Sequence, residues 1–217
     1  MQGSEDIRTV RSRGRPKTTS DAARRAKIVA EARTTFHELG YGGTTMDLVA
    51  NRCKLSKQTL YQLFPSKTDL FRAIIDDHRA TMLRLPRSPD EDLPLAETLA
   101  DIFMLDIDEE DEREREAFIR LVVRESQAHP EIATLLKTNG VQHSRQLLAD
   151  WLRTQQERGR IAPLDAHSGA RMLMNMIFGA MTSFPGCPSD WPARETRNRH
   201  LRLCVDVFLG GVRTATN

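Results

Sequence analysis

Lys57, Gln58, Thr59, Tyr61 and Gln62 put hydrogen-bonding side chains at nearly every position of one short segment. Leu60 and Phe64, four residues apart, are the apolar positions among them. A helix here would bury a narrow seam and turn its polar side chains outward. Side chains of this kind on the first turns of a short helix reach base edges in the major groove. Gln pairs well with adenine and Lys with guanine, and either also binds phosphate. Ser56 is an N-cap residue type for that helix. Upstream, Met46, Val49, Ala50 and Cys53 fall at i, i+3, i+4 and i+7, the apolar face of a second short helix, with Thr44 and Thr45 as cap types. Two short helices broken by a tight turn make a helix-turn-helix, a shape suited to a DNA groove.

The remaining reactive residue types do not assemble into a second chemistry. None of the six histidines (His37, His78, His129, His143, His167 and His200) takes part in an HExxH pattern. Glu125 and His129 stand at i, i+4, a spacing that suits a metal, but their place just before Pro130 reads as a surface pair at a helix end. There is no Gly-rich phosphate loop or GxSxG elbow, and no cofactor is expected. Cys53, Cys187 and Cys204 are far apart and odd in number, which suggests reduced thiols in a cytoplasmic protein. The opening Met-Gln-Gly-Ser-Glu-Asp lacks the apolar stretch of a signal peptide, and no apolar run is long enough to span a membrane.

Charge is divided along the chain. Residues 1–80 hold 15 Lys and Arg against 9 Asp and Glu, whereas the remainder holds 17 against 21. A basic first third points to a polyanionic partner there and to a different task for the rest. Residues 1–19 are polar and without periodicity, as in a disordered arm. Within them, Arg13-Gly14-Arg15-Pro16-Lys17 resembles an AT-hook core. Arg13 and Arg15 would enter a narrow A·T-rich minor groove, where negative potential is enhanced. A basic tail touching phosphates without preference is the equal alternative.

The elements that must position these residues read as helices throughout. Sparse aromatics and the absence of sustained alternation argue against a sheet. A first helix is expected from about Asp21 to Leu39, capped by Ser20, with Ile28, Val29, Ala32, Phe36 and Leu39 inward and Gly40 as its stop. Ser66, with Asp69 three residues on, approximates a capping box for a fourth helix running to about Leu83. Residues 85–93 are a loop. Further helices are expected over Leu95–Leu105, from the acidic run Asp106–Glu116 through Glu125, from Pro130 to about Arg158 with a bend at Gly140, from Asp165 to Phe184, and over about Ala193–Val212, to give about nine in all.

Thr44-Thr45, Val49-Ala50, Leu55-Ser56-Lys57, Thr59-Leu60-Tyr61 and Phe64-Pro65-Ser66-Lys67, after a Gly-rich turn, closely resemble the DNA-binding domain of TetR-type transcriptional regulators over roughly residues 22–80. One departure is Lys54, where the family has Gly, so a side chain must accept a left-handed backbone. The resemblance implies that Lys57, Gln58, Thr59, Tyr61 and Leu63 face double-stranded DNA, with Ser56 at the helix start. It also implies that Tyr61, Lys67 and Thr45 meet phosphates. Asp47 is expected to turn inward or to shape the surface rather than to bind DNA.

The resemblance further implies an all-α protein: a basic arm (1–19), a three-helix helix-turn-helix domain with its linking helix (20–83), and a helical effector-binding and dimerisation domain (84–217). Phe103, Phe118, Leu121, Arg124, Met174, Asn175 and Phe178 are the candidate pocket residues for a small-molecule effector. Met172, Met174, Met176 and Met181, with Ile177 and Phe178, serve equally well as helix core. In the last helix Leu201, Leu203, Cys204, Val207, Phe208 and Leu209 are apolar on more than one side, as a homodimer four-helix bundle requires; burial within one subunit is the alternative. The implied function is a ligand-responsive regulator, a repressor in the family's commoner case. An architectural DNA-binding protein and a helical enzyme are the other classes. The basic arm suits the former, but the long helical remainder does not.

Overall fold

The computed structural model describes residues 21–88, 90–179 and 194–212, and among these there are helices and no strand. Helix α1 spans Asp21–Gly43, α2 Met46–Arg52, α3 Lys57–Leu63, α4 Lys67–Met82, α5 Leu95–Ile102 and α6 Glu109–Ala128. A continuous rod, α7, follows from three segments: Pro130–Leu135, a π-helical stretch Leu136–Gln142, and His143–Glu157. Helices α8 (Ala166–Gly179) and α9 (Arg194–Gly211) complete the described chain, nine helices as expected. No described helix is long and apolar enough to cross a membrane.

Local chemistry sets most of the boundaries. The Ser66 hydroxyl accepts the Asp69 amide at 3.0 Å and starts α4. Asp108 accepts the amides of Glu110 and Asp111, both at 2.9 Å, ahead of an acidic first turn that favours the positive end of α6. Asp165 accepts the Ser168 amide at 2.6 Å at the start of α8. Helix α5 stops at Ile102, short of the expected Leu105, because Met104 turns to a positive φ of 53°. The expected cap Ser20 and the far end of α8 near Phe184 lie outside the described residues.

The end of α1 corrects the sequence reading. Gly40 takes φ 71°, so the regular helix breaks there and residues 41–43 form a separate turn. Leu39, expected inward, is 45 % exposed, and Tyr41 is buried in its stead. The Tyr41 ring stacks on Phe36 at 5.8 Å and meets Phe71 edge-on at 5.4 Å. A side chain at Gly40 would also approach Glu125 Oε1 at 3.1 Å, so glycine is required both for its φ and for that close approach.

Two apolar cores run through the molecule. The first joins α1–α4 to Phe118, Leu121 and Val122 of α6 and to Ile132 and Leu135 of α7. The second joins Leu99, Ile102 and Phe103 to the His143–Glu157 segment, α8 and α9. Gly140, expected to bend the seventh helix, sits within the π-helical stretch between them. Such stretches often mark functional positions.

Candidate nucleic-acid interface and internal cavity

The helix-turn-helix is built from its caps. Thr45 Oγ1 accepts the Leu48 amide at 3.2 Å, and Ser56 Oγ accepts the Thr59 amide at 3.1 Å. Thr44 is buried and donates to the Gly40 carbonyl at 2.8 Å. Lys54 takes the left-handed turn position at φ 54°. Its amide donates to the Asn51 carbonyl at 3.0 Å, and the Leu55 amide reaches the Ala50 carbonyl at 2.9 Å. Leu60 and Phe64 are buried as the seam. Behind them Arg25 lies over the Phe64 ring at 4.3 Å and donates to the Leu63 carbonyl at 2.5 Å, which holds the end of α3 against α1.

The outward side of α3 carries Lys57, Gln58, Tyr61 and Gln62, all exposed, with Thr59 and Leu63 half-buried. Asp47 lies on the surface, and its carboxylate pairs with Lys57 Nζ at 2.5 Å. Exposed pairs of this kind are worth ~0–1 kcal/mol, so phosphate competes readily for the lysine. Lys67 has a different setting. Its ammonium donates to the carbonyls of Tyr41 at 2.7 Å and Thr44 at 3.1 Å, and lies 4.1 Å from the centre of the Tyr41 ring. Burial pushes its pKa down, while Glu131 and Glu125 pull it up. The residue expected at phosphate thus holds the turn between α1 and α2. Arg13 and Arg15 lie outside the described residues.

Glu125 corrects another expectation. It is buried rather than part of a surface pair, and its Oε2 accepts the Tyr41 amide at 3.0 Å. Arg124 pairs with its Oε1 at 2.9 Å, and His129 stands 3.8 Å from Oε2. This carboxylate bonds α6 directly to the turn that leads into the helix-turn-helix. No group of three or more potential metal ligands forms among the described residues.

A cavity of about 320 Å³ opens between α4, α6, α7 and α8. Of the seven candidate pocket residues, Phe118, Met174, Asn175 and Phe178 line it. Phe103 stands behind the wall, edge-on to Phe178 at 5.8 Å. Leu121 belongs to the first core, and Arg124 points out toward the α1 turn. Of the methionine series, Met172 is exposed, Ile177 is core, and Met181 lies outside the described residues. The remaining lining was not foreseen: Ile75, His78, Arg79 and Met82 of α4, and Leu136, Gly140, Val141, Ser144 and Arg145 of the π-helical stretch and the segment after it. His78 was legible, because Phe71, Ile74, Ile75 and His78 fall at i, i+3, i+4 and i+7. The face offered by a π-helical stretch has no such signature.

His78 is 5 % exposed, and its ring lies 3.8 Å from that of Phe118. Burial, reinforced by Arg33 and Arg115, lowers its pKa to about 3, so the imidazole is neutral. The Thr81 hydroxyl donates to the His78 carbonyl at 2.7 Å and has no second proton for Nδ1, 3.1 Å away. Nδ1 therefore carries the ring proton, and Nε2 is a bare acceptor. That Nε2 is buried without a hydrogen-bond partner, as is Nε of Arg145.

Helix α9 divides its apolar residues between two sides. Leu201, Cys204, Val205 and Phe208 are buried within the second core. Leu203 and Val207, four residues apart, are 56 % and 61 % exposed. The wide surface anticipated from Leu201 to Leu209 is thus half internal.

Comparison with known proteins accords with this geometry. Residues 28–74 match the family described as bacterial regulatory proteins, tetR family, and residues 111–211 match the AefR-like transcriptional repressor, C-terminal domain. The regulator UidR of Escherichia coli K12 is 25 % identical over 194 residues, covering 88 % of this chain and 94 % of UidR. The structure of Salmonella enterica GusR superposes with a TM-score of 0.65 at 26 % identity, covering 89 % of this chain and 99 % of GusR. SmeT, crystallised as a triclosan complex, superposes with a TM-score of 0.62 at 22 % identity over 89 % of this chain and 93 % of its own. The first family match lies on the capped helix-turn-helix and the second runs through α6 to α9, and the chain belongs to the TetR family of transcriptional regulators.

Proposed function

We propose that the chain binds a two-fold symmetric stretch of double-stranded DNA as a homodimer, and that a small apolar or amphipathic effector in the α4–α8 cavity releases it. The observation that carries this reading is the path of α4. Its first residue, Lys67, holds the turn before the helix-turn-helix, and its last two turns, with Ile75, His78, Arg79 and Met82, form one wall of the cavity. A ligand that shifts this wall tilts the helix supporting α3. In a dimer, that changes the separation of the two reading helices. The effect is limited by the ligand's differential affinity for the two conformations.

On this reading Lys57, Gln58, Thr59 and Tyr61 face the groove from residues 20–83, with Ser56 and Thr45 at the two helix starts. Residues 84–217 hold the effector and pair the subunits through the exposed side of α9. The SmeT–triclosan complex supports a small-molecule ligand by similarity of fold. The test is selection of DNA from a random pool by the full-length protein, followed by footprinting. Half-sites about one helical turn, roughly 34–36 Å, apart or a multiple of that are expected. Tight binding to a single asymmetric half-site would overturn the dimer reading. Binding without sequence preference would favour an architectural protein.

A further inference from the structure

The cavity wall is apolar apart from a few polar atoms whose chemistry is specific. No carboxylate lines it, while Arg79 and Arg145 do. Arg79 is engaged by Asp76 at 3.2 Å. Arg145 has a buried Nε without a partner and no carboxylate within ion-pair distance among the described residues. The cavity is therefore electropositive and retains a cation that nothing in the chain neutralises. His78 faces it with a bare acceptor nitrogen in an almost fully buried ring. A buried acceptor without a donor costs free energy comparable to a lost hydrogen bond, and such atoms are rare unless a ligand or water completes them.

We infer that the effector is a planar, apolar weak acid: a ring system whose hydroxyl or N–H donates to His78 Nε2 and whose anionic group meets Arg145. This rests on reading the cavity as the effector site. The two polar groups stand on different helices, His78 on α4 and Arg145 on α7. A ligand that satisfies both spans from the wall nearest the DNA-binding unit to the rod beyond the π-helical stretch. A purely hydrocarbon ligand would leave both atoms unpaired and be disfavoured. A cationic ligand would meet Arg79 and Arg145 and be rejected. The Phe118 and Phe178 rings, on facing helices, suit a flat molecule between them.

The test uses the full-length protein and three matched probes: para-hydroxycinnamate, its methyl ether para-methoxycinnamate, and para-hydroxycinnamamide. Calorimetry should show para-hydroxycinnamate binding best. Loss of the hydroxyl proton or of the negative charge should each weaken binding about tenfold. In His78→Phe, which keeps a ring against Phe118 but removes the acceptor, the preference over the ether should vanish. In Arg145→Gln the preference over the amide should vanish. Equal binding of phenol and ether by the unaltered protein overturns the His78 assignment, and this comparison stands even if His78→Phe fails to fold. Equal binding of acid and amide overturns the Arg145 assignment, and failure of all three probes overturns the ligand class. None of these outcomes touches the DNA-binding reading, which the footprinting experiment decides separately.

Discussion

Gln58 and Lys67 both belong to the helix-turn-helix pattern, yet the structure gives them different work. Gln58 is exposed on the outward side of α3 with no printed partner to hold it back. Gln58→Ala should relax base preference at one position per half-site, costing on the order of 1–3 kcal/mol there, as read by competition with mutated sites. Lys57→Ala should weaken all sequences alike and flatten the salt dependence by about one unit per phosphate lost. Lys67→Met should act first on stability, because the Tyr41 and Thr44 carbonyls lose a charged donor. A cost of about 1–3 kcal/mol is expected in denaturant unfolding. An unchanged unfolding midpoint with a flattened salt slope would return Lys67 to the phosphates. His78 makes a prediction in pH. Its folded pKa of about 3 lies below the unfolded value, so the unfolded chain binds the proton first as pH falls. Stability associated with this residue is present above about pH 6.5 and declines towards about pH 3, with a slope of up to about 1.4 kcal/mol per pH unit. His78→Phe should remove that part of the slope, and equal slopes in both proteins would contradict the buried neutral imidazole.

At the scale of elements, the informative case is α9. Periodicity shows an apolar excess there but not which residues face which partner; packing against α5 and α8 decides it. Leu203→Glu with Val207→Glu should yield monomers in sedimentation velocity at unchanged helicity. Leu201→Glu should instead unfold the chain, since it buries a charge in the second core. Monomers from neither double nor single charge would place the dimer contact elsewhere. The same distinction explains what was legible. The helix-turn-helix was readable because its signals are local: a cap, a seam, a left-handed turn residue. The exchange of Leu39 for Tyr41 was not, because it depends on the backbone break at Gly40 and on aromatic partners from α4. The cavity was half legible. Phe118, Met174, Asn175 and Phe178 announce themselves on apolar faces, whereas the wall from Leu136 to Arg145 exists only where four helices converge.

For the whole molecule, the continuity of the first core matters most. Residues of α6 and α7 complete the packing of α1–α4, and Glu125 bonds the Tyr41 amide. The DNA-binding unit and the cavity therefore share walls rather than a flexible joint. Met174→Trp, which fills the cavity from α8, should blunt the effector's influence on DNA binding while leaving the affinity without effector nearly intact. Loss of DNA binding in that variant would mark Met174 as core alone. Glu125→Gln keeps the volume but weakens the bond to the turn. It should reduce the fold-change in DNA affinity on effector binding, a coupling of about 1–3 kcal/mol at most.

The π-helical stretch of α7 also fixes the phase of the rod. Ile132 and Leu135, before it, point into the first core; Leu148, Ala149, Trp151 and Leu152, after it, point into the second. Each residue of an α-helix advances the face by about 100°. Deleting one residue within Leu136–Gln142 would let the backbone ladder close as a regular α-helix while rotating everything downstream by about that angle. Leu148 and Leu152 would swing toward water and Arg145 away from the cavity. The rod thus works as a keyed shaft between two sockets: its outline tolerates substitution, but its residue count there does not tolerate change, and circular dichroism of such a deletion should show helix retained while the thermal transition is lost.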